Sequence, residues 1–561
     1  MQMSTGTSAE TIVLIVGGGP VGLIAALLLA QQGIGSVVVE RRQSRLTAPK
    51  AHALNPRSLE ICRSLGIPRA EFEAQATPAH QGGRVRFLTT LSGIEIGSLP
   101  YERQDAAVLD LTPTPLLNIS QPRLEEILLA RCQRERLIEI RTGHRWISAT
   151  QDDCAASVIS TDAGEYILRS KYVIAADGAG STVRQHLSID MDGPRELDHR
   201  LMIHFGADLR PLLADRPAIL YWTLEPSASG TFIAYDISST FVFMLRYDPR
   251  TESAVDFDAA RCKRIVAAAI GDSAAEIEIR HVLPWTMSAQ VAQAYRRERI
   301  FLAGDAAHRF PPSGGLGLNT GLQDAHNLAW KIAAVEHGRA SADLLDSYER
   351  ERRPVAVQNS DQSKDNAIKI RSLYDAIHRA AAPHPAGLAG HLAAPGAREA
   401  FMRMIDERQE HFDSLRLQLG FVYGESEDTG QPVDQFDPIA CPGARLPHGW
   451  ITIAGQRASS LDLVHPTSFT LIVGKDGDHW QTSLPARDDI VRLVRDSVDF
   501  NDDSGTWRTL VNLSDRAAIL VRPDGHILAI APDDTPDSVA RLQHDLTAYL
   551  GTGARISREL R

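Results

Sequence analysis

The run Thr11-Ile12-Val13-Leu14-Ile15-Val16-Gly17-Gly18-Gly19-Pro20-Val21-Gly22 decides the fold. Thr11–Val16 is an apolar, β-branched stretch, which reads as a buried strand. Gly17–Gly22 is a turn, Pro20–Gln32 reads as a helix, and Ser36–Glu40 (SVVVE) is a second strand. Strand, turn, helix and strand in this order make a βαβ unit. Gly17, Gly19 and Gly22 spell GxGxxG. Gly17 permits the tight turn, and Gly19 lets backbone N–H groups approach a pyrophosphate. Gly22, with Ala26, lets the helix pack close to the sheet. The helix begins at Pro20 and Val21, so its N-terminus faces the phosphate charge. Glu40 ends the second strand 18 residues after Gly22, where a carboxylate can accept from ribose hydroxyls, and Arg41 follows it. The pattern predicts dinucleotide binding; the plainer alternative is a glycine turn in an α/β fold without a ligand.

Composition bounds the rest. At about 150 residues per domain, 561 residues make three or four domains. Hydrophobic residues are 43% of the chain and charged ones 23%, as in a folded globular protein rather than a disordered one. Acidic residues outnumber basic ones 70 to 59, a formal charge of −11 with no basic stripe, which disfavours a nucleic-acid partner. Five cysteines are scattered and never spaced as CxxC, which excludes a disulfide framework and a zinc ribbon and suits a reducing compartment. No apolar run is long enough to span a membrane. The expectation is a cytoplasmic protein with no membrane partner and no metal: no His/Cys/Asp cluster has ligand spacing.

Two further motifs accompany the first. Gly304-Asp305 follows the strand Arg299–Ala303 and leads into Ala306-Ala307-His308. Asp177-Gly178 follows the strand Lys171–Ala176. A glycine-rich loop, Pro311-Pro312-Ser313-Gly314-Gly315-Leu316-Gly317-Leu318-Asn319, precedes Asp324, Asn327, Trp330 and Lys331. Ile119-Ser120-Gln121-Pro122-Arg123 and the helix Leu344–Pro354 complete the set. In this order and spacing, the chain resembles the single-component FAD-dependent aromatic hydroxylases, of the phenol/chlorophenol and polyketide hydroxylase branch. The resemblance implies that Asp305 holds the flavin ribityl chain and that Asp177 and Gly178 lie where FAD and NAD(P)H approach. It places Pro312, Gly315, Gly317, Leu318 and Asn319 near the isoalloxazine, Gln121 at the flavin edge, and Gly304, Lys50 and Arg123 with the rest of the cofactor site. Many relatives carry arginine where Lys50 stands, and lysine lacks the bidentate fork.

The resemblance further implies a reaction. NADPH or NADH reduces FAD, O2 adds at flavin C4a, and one oxygen passes to a phenolic or polyketide-like aromatic ring. A general base near the ring hydroxyl makes a better nucleophile. His52, in Lys50-Ala51-His52-Ala53-Leu54-Asn55, stands where phenol hydroxylases carry a catalytic aspartate, and near its ordinary pKa of about 6.5 it can take a proton at neutral pH. Tyr221, Tyr235 and Arg246 lie on predicted strands that could face the flavin. Trp222 and Trp285 are expected in the core, Met202, Met244 and Met287 are packing residues, and His308 is structural or at the flavin edge.

The expectation is an α/β protein: a Rossmann-like FAD-binding domain, an inserted mixed β-sheet substrate domain and, as the resemblance implies, a C-terminal thioredoxin-like domain. The FAD domain takes 1–80, 115–190 and 290–370, and the sheet domain 81–114 and 191–289. A helical region and linker takes 371–442, and the thioredoxin-like domain, without CxxC, takes 443–561. Leu344–Gln358 and about Ala367–Gln418 are predicted helical, as is Asp488–Val498. Phe469–Val473 is predicted a strand, and Ala518–Val521 and Ile527–Ile530 a hairpin. The resemblance also implies a homodimer. Rival readings keep the flavin chemistry but give epoxidation, Baeyer–Villiger insertion or a dearomatised product, or keep only a non-catalytic flavoprotein.

Overall fold

A computed structural model describes residues 9–45, 48–49, 51–424, 432–483 and 490–551. Three larger sheets organise them. In the first, Ile138–Thr142, Ser36–Glu40, Ala9–Val16, Gly164–Ala175 and Ile300–Leu302 lie side by side, all parallel. Helices Pro20–Gln31 and Leu316–Glu336 pack on this sheet, so Val13, Leu14 and Ile15 are buried completely. That is why 12–16, 37–39 and 300–302 read as unbroken apolar runs rather than alternating ones. Val16 pairs with Val39 and Ala175, and Ala175 with Leu302. Gly17, Glu40, Asp177 and Asp305 therefore leave the sheet from the carboxyl ends of adjoining strands. Ligands of open parallel sheets bind in that position.

The second sheet has seven strands, in the order Glu278–Met287, Asp198–Gly206, Thr240–Arg246, Gly230–Asp236, Leu220–Thr223, Arg84–Leu88 and Glu95–Pro100. Only the pairing of Leu220–Thr223 with Arg84–Leu88 is parallel, so the sheet is mixed. Alternation divides its side chains. Ile203, Phe205, Tyr221, Phe232, Phe241 and Phe243 form a core with the helix Ala259–Ile270 on one face. Met202, Met244, Thr231 and Trp222, in register across four strands, occupy the other face.

The third sheet orders Val491–Arg495, Phe469–Val473, Ala518–Val521 and Ile527–Ala531, and the helix Pro536–Leu550 packs on it. Two sequence expectations are corrected. The helix expected over Asp488–Val498 is the strand Val491–Arg495, paired in parallel with Phe469–Val473, while 484–489 lie outside the described residues. Its Val-Arg-Leu-Val-Arg pattern suits a strand as well as a helix, and pairing decides. The break expected between Gln358 and Ala367 is absent: Ser347–Ala381 is one helix of 35 residues, with Pro354 inside it. Among the described residues no helix is long and apolar enough to cross a membrane.

Buried ions hold the third sheet's unit to the first. Arg445 Nε donates to Glu60 at 2.9 Å, and Arg57 donates both to Glu60 and to the Asp524 carbonyl. Burial alone would raise the Glu60 carboxyl, but Arg445 and Arg57 hold it down at about 2. Arg522 and Lys331 share Glu351, Lys331 also donates to Asn327, and Trp330 Nε1 donates to Asp524. Asn327, Trp330 and Lys331 thus serve this joint. Breaking such a pair from one side strands the other charge. Arg445→Ala is expected to cost about 3 kcal/mol, read as a lower urea midpoint; an unchanged midpoint would contradict this role.

Candidate active site

A cavity of about 1400 Å3 runs from the carboxyl edge of the first sheet to the apolar face of the second. It exceeds the roughly 300–1,000 Å3 of a single small-molecule site. At one end Gly17, Gly19, Pro20 and Val21 line it beside Glu40 and Arg41. Asp177, Gly178, Asp305 and Gln121 join them from separate elements. Pro312, Gly315, Gly317 and Leu318 form the next stretch of wall, with His52 beyond.

Local geometry explains this end. Gly17 sits at φ +109°, and a Cβ there would lie 2.3 Å from the Ala176 carbonyl oxygen. A Cβ on Gly19, by contrast, would meet nothing within 4 Å, because that position opens onto the cavity. Glu40 accepts from the Gly18 and Arg42 amides, each at 2.9 Å, which fixes its carboxylate at the rim. Asp177 Oδ2 accepts from Val183 N at 3.2 Å, while the buried Oδ1 has no hydrogen-bond partner among the described residues. Burial pushes the Asp177 carboxyl upward. A glycine cradle at a helix start, a rim carboxylate and an unpartnered buried acceptor suit a phosphate-bearing, hydroxyl-rich cofactor such as FAD.

Several expected cofactor residues lie elsewhere. Gly22 and Gly304 are off the cavity wall. A Cβ on Gly22 would lie 2.0 Å from the Gly17 carbonyl, and one on Gly304 would lie 2.9 Å from Val21, so both serve close packing. Asn319 is buried; its Oδ1 accepts from Asn55 N and Ser58 Oγ, and its Nδ2 donates to the Ala53 and Gly315 carbonyls. It staples the glycine loop to the His52 segment and is not among the residues that line the cavity. Arg123 points outward, paired with Glu126 at 3.3 Å, because Leu124, Leu128 and Cys132 take the buried stripe of its helix. Arg45, paired with Glu125, lines the cavity instead. Lys50 lies outside the described residues. His308 is buried against Asp324, whose carboxylate also takes the Gly304 amide and Arg352.

At the other end, the sheet candidates need correction. Tyr221 faces the opposite core, its hydroxyl accepting from Ala218 N and donating to the Arg216 carbonyl. Arg246 is at the sheet rim, paired with Asp198 at 2.9 Å, and does not line the cavity. Tyr235 stands behind the wall, edge-on to His52 with centroids 6.3 Å apart. Trp222, Trp285, Met202, Met244 and Met287, expected as core or packing, all line the cavity. The alternation that carries Tyr221 away brings Trp222 in, and strand phase was the one signal that could have shown it.

His52 Nδ1 lies 3.1 Å from Asn118 Oδ1, and its ring is tilted against Tyr101 at 5.7 Å. The strand pair Ala53–Asn118 holds it, with Ile119 N donating to the His52 carbonyl at 2.7 Å. The expectation that it titrates near neutrality is corrected: burial lowers its imidazolium to about 4, against the smaller opposing effect of the Asn118 hydrogen bond. His52 is therefore neutral at physiological pH.

Behind Tyr101 and Phe412, which also line the cavity, lies a buried acid pair. Burial and the neighbouring Asp413 push Glu102 up to about 7, although it accepts from Ser414 N and Gln418 Nε2. An unfolded glutamate ionises near 4.5. Between those values the unfolded chain releases a proton that the folded one keeps, so stability falls as pH rises, by about 3 kcal/mol in all. Glu102→Gln is expected to raise the melting temperature at pH 8 and to leave it nearly unchanged at pH 5. Equal gains at both values would contradict the titration.

The family model described as FAD binding domain matches residues 10–363, and that described as aromatic-ring hydroxylase, C-terminal, matches residues 440–553. The chain is 30% identical to 2,4-dichlorophenol 6-monooxygenase of Delftia acidovorans, over 93% of this chain and 95% of that one. It is 32% identical to tetracenomycin B2 monooxygenase-dioxygenase of Streptomyces olivaceus, over 96% and 99%. Among solved structures, the flavin-dependent monooxygenase PieE in complex with FAD and substrate aligns with a TM-score of 0.90 at 30% identity, covering 98% of this chain and 100% of that one.

Proposed function

Because the chain belongs to the family of FAD-binding aromatic-ring hydroxylases, we propose that it is an FAD-dependent monooxygenase that consumes NADPH or NADH and hydroxylates a phenolic or polyketide-like ring. The observation that carries this reading is the continuity of the cavity: the three motifs and the apolar sheet face share one space. Relatives named for a chlorophenol and for tetracenomycin B2 support a phenolic or multi-ring substrate.

Bound FAD, once reduced, supplies the activation of O2. Gly17–Val21, Glu40, Asp177 and Asp305 would hold its nucleotide and ribityl parts, and Pro312–Leu318 its ring. Leu318 and Gly317 open the helix Leu316–Glu336, whose N-terminus favours negative charge on the ring. Trp222, Met202, Met244 and Leu283 give the substrate a flat apolar wall and keep water from it. His52 Nε2 accepts a hydrogen bond from the substrate hydroxyl. With an imidazolium near 4 it does not hold a phenolate beforehand. It takes the proton as the ring gives electron density to the incoming oxygen and the hydroxyl becomes acidic.

The remainder of the reading is architectural. The unit containing the third sheet is thioredoxin-like without CxxC, supported by its four mixed strands and packed terminal helix. The reading keeps the domain boundaries expected from the sequence; the molecule is a homodimer, as the family resemblance implies, and cytoplasmic, as its scattered cysteines suit. The functional test is FAD uptake followed by donor oxidation across phenols and hydroxylated polycyclic aromatics. Yellow protein, stimulated oxidation and a product heavier by one oxygen support the proposal; protein that takes up no FAD overturns it.

A further inference from the structure

His52 can offer a lone pair to the cavity only if its hydrogen sits on the other ring nitrogen. Neutral imidazole has one N–H and one bare nitrogen, and the partner of one decides the state of the other. The partner here is Asn118, which is 2% exposed.

The direction of the Asn118 amide is settled by its second neighbour. Asn118 Nδ2 donates to the Gly82 carbonyl at 3.1 Å. A carbonyl only accepts, so the amide nitrogen must face Gly82 and Oδ1 must face His52. Oδ1 in turn cannot donate. His52 Nδ1, 3.1 Å away, therefore carries the hydrogen, and Nε2 is bare. Nε2 has no partner among the described residues, and His52 lines the cavity.

The platform around this amide is rigid. Gly82 N donates to the Pro78 carbonyl at 3.0 Å, and the Gly82 carbonyl also accepts from Gln104 Nε2. A Cβ on Gly82 would lie 2.7 Å from Asn118 Nδ2, so a larger residue at 82 would push the amide out of place. The Asn118 carbonyl accepts from Thr77 N at 2.7 Å. Thr77 Oγ1 donates to the carbonyl of Tyr235, whose ring stands against His52. The residue type is informative as well. A carboxylate at 118 would set one oxygen against the Gly82 carbonyl and would raise the proton affinity of His52. An amide fixes the tautomer and leaves the imidazole neutral.

We propose that Asn118 is a positioning residue that fixes the tautomer of His52, keeping the hydrogen on Nδ1 and the Nε2 lone pair toward the substrate hydroxyl. The inference rests on the reading of His52 as the group that meets that hydroxyl. Its test is read on the histidine itself. In 15N spectra of histidine-labelled, FAD-loaded protein at neutral pH, His52 is assigned by the signals lost in His52→Gln. The expected pattern is a protonated Nδ1 and a bare Nε2, the reverse of the tautomer that a free histidine side chain favours in water.

Asn118→Leu is expected to move the hydrogen to Nε2 in part or in full. Hydroxylation should then fall at least about tenfold, with FAD still bound and the KM for the electron donor unchanged. A wild-type His52 protonated on Nε2 overturns the proposal, and so does a tautomer that Asn118→Leu leaves as it was. If the tautomer moves and hydroxylation does not, the Asn118 assignment stands and the reading of His52 falls. Should Asn118→Leu fail to take up FAD, the wild-type spectrum alone decides.

Discussion

Gly19→Val is expected to yield a folded, colourless protein. The added side chain would start where no protein atom lies within 4 Å of its Cβ, so the branch point meets open space. The melting temperature without flavin should match wild type. In the proposed site, FAD would meet that side chain at the start of the helix Pro20–Gln31, whose backbone amides would face its phosphates. A loss of at least about tenfold in FAD affinity, equivalent to about 1.4 kcal/mol, is the expected result by calorimetric titration. Gly17→Val makes the contrast: its Cβ would strike the Ala176 backbone at the end of the neighbouring strand, so both the fold and the cofactor should suffer. Unchanged FAD affinity in Gly19→Val would mean that the phosphates do not lie at this turn.

His52→Gln is expected to retain FAD and to lower substrate-stimulated hydroxylation by roughly 10²-fold or more, the range of a positioned proton acceptor. The wild-type pH profile carries a second expectation. His52 is protonated only as pH falls through about 4, so its contribution is fully present above that value and lost below it. No inflection from this residue should appear near 6.5, where an exposed histidine would give one. A wild-type rate in His52→Gln would remove the residue from the chemistry. An inflection near neutrality that disappears in the variant would show that the occupied site does not keep the imidazole neutral.

The sequence is most legible where one local signal carries the answer. The Gly17–Gly22 turn, the acid at Glu40 and the Asp177 and Asp305 turns are local patterns, and parallel register brings them together. Trp222 and Tyr221 show where legibility ends. They are neighbours on one strand, and which of them faces the cavity depends on a strand phase that pairing with Gly230–Asp236 and Arg84–Leu88 sets. Asn118 is hidden for another reason. Its partners His52 and Gly82 lie 66 and 36 residues away, and nothing in the string Leu116-Leu117-Asn118-Ile119 points to either. Asn319 and Arg123 stand in motifs that the family resemblance assigns to the cofactor. Their side chains turn instead to the neighbouring segment and to solvent. The strand Val491–Arg495 failed by period alone, since an apolar pattern this short fits a helix or a strand.

The proposed reaction delivers an oxygen atom from O2 to an aromatic ring held beside His52. It is tested most directly by turnover under 18O2, with FAD-loaded protein, NADPH or NADH, and a panel of phenols and hydroxylated polycyclic aromatics analysed by product mass. The expected result is a product carrying one labelled oxygen, with donor consumption stimulated by the compound that is hydroxylated. Product oxygen drawn from water, or donor oxidation that never inserts oxygen into any ring of the panel, would contradict it.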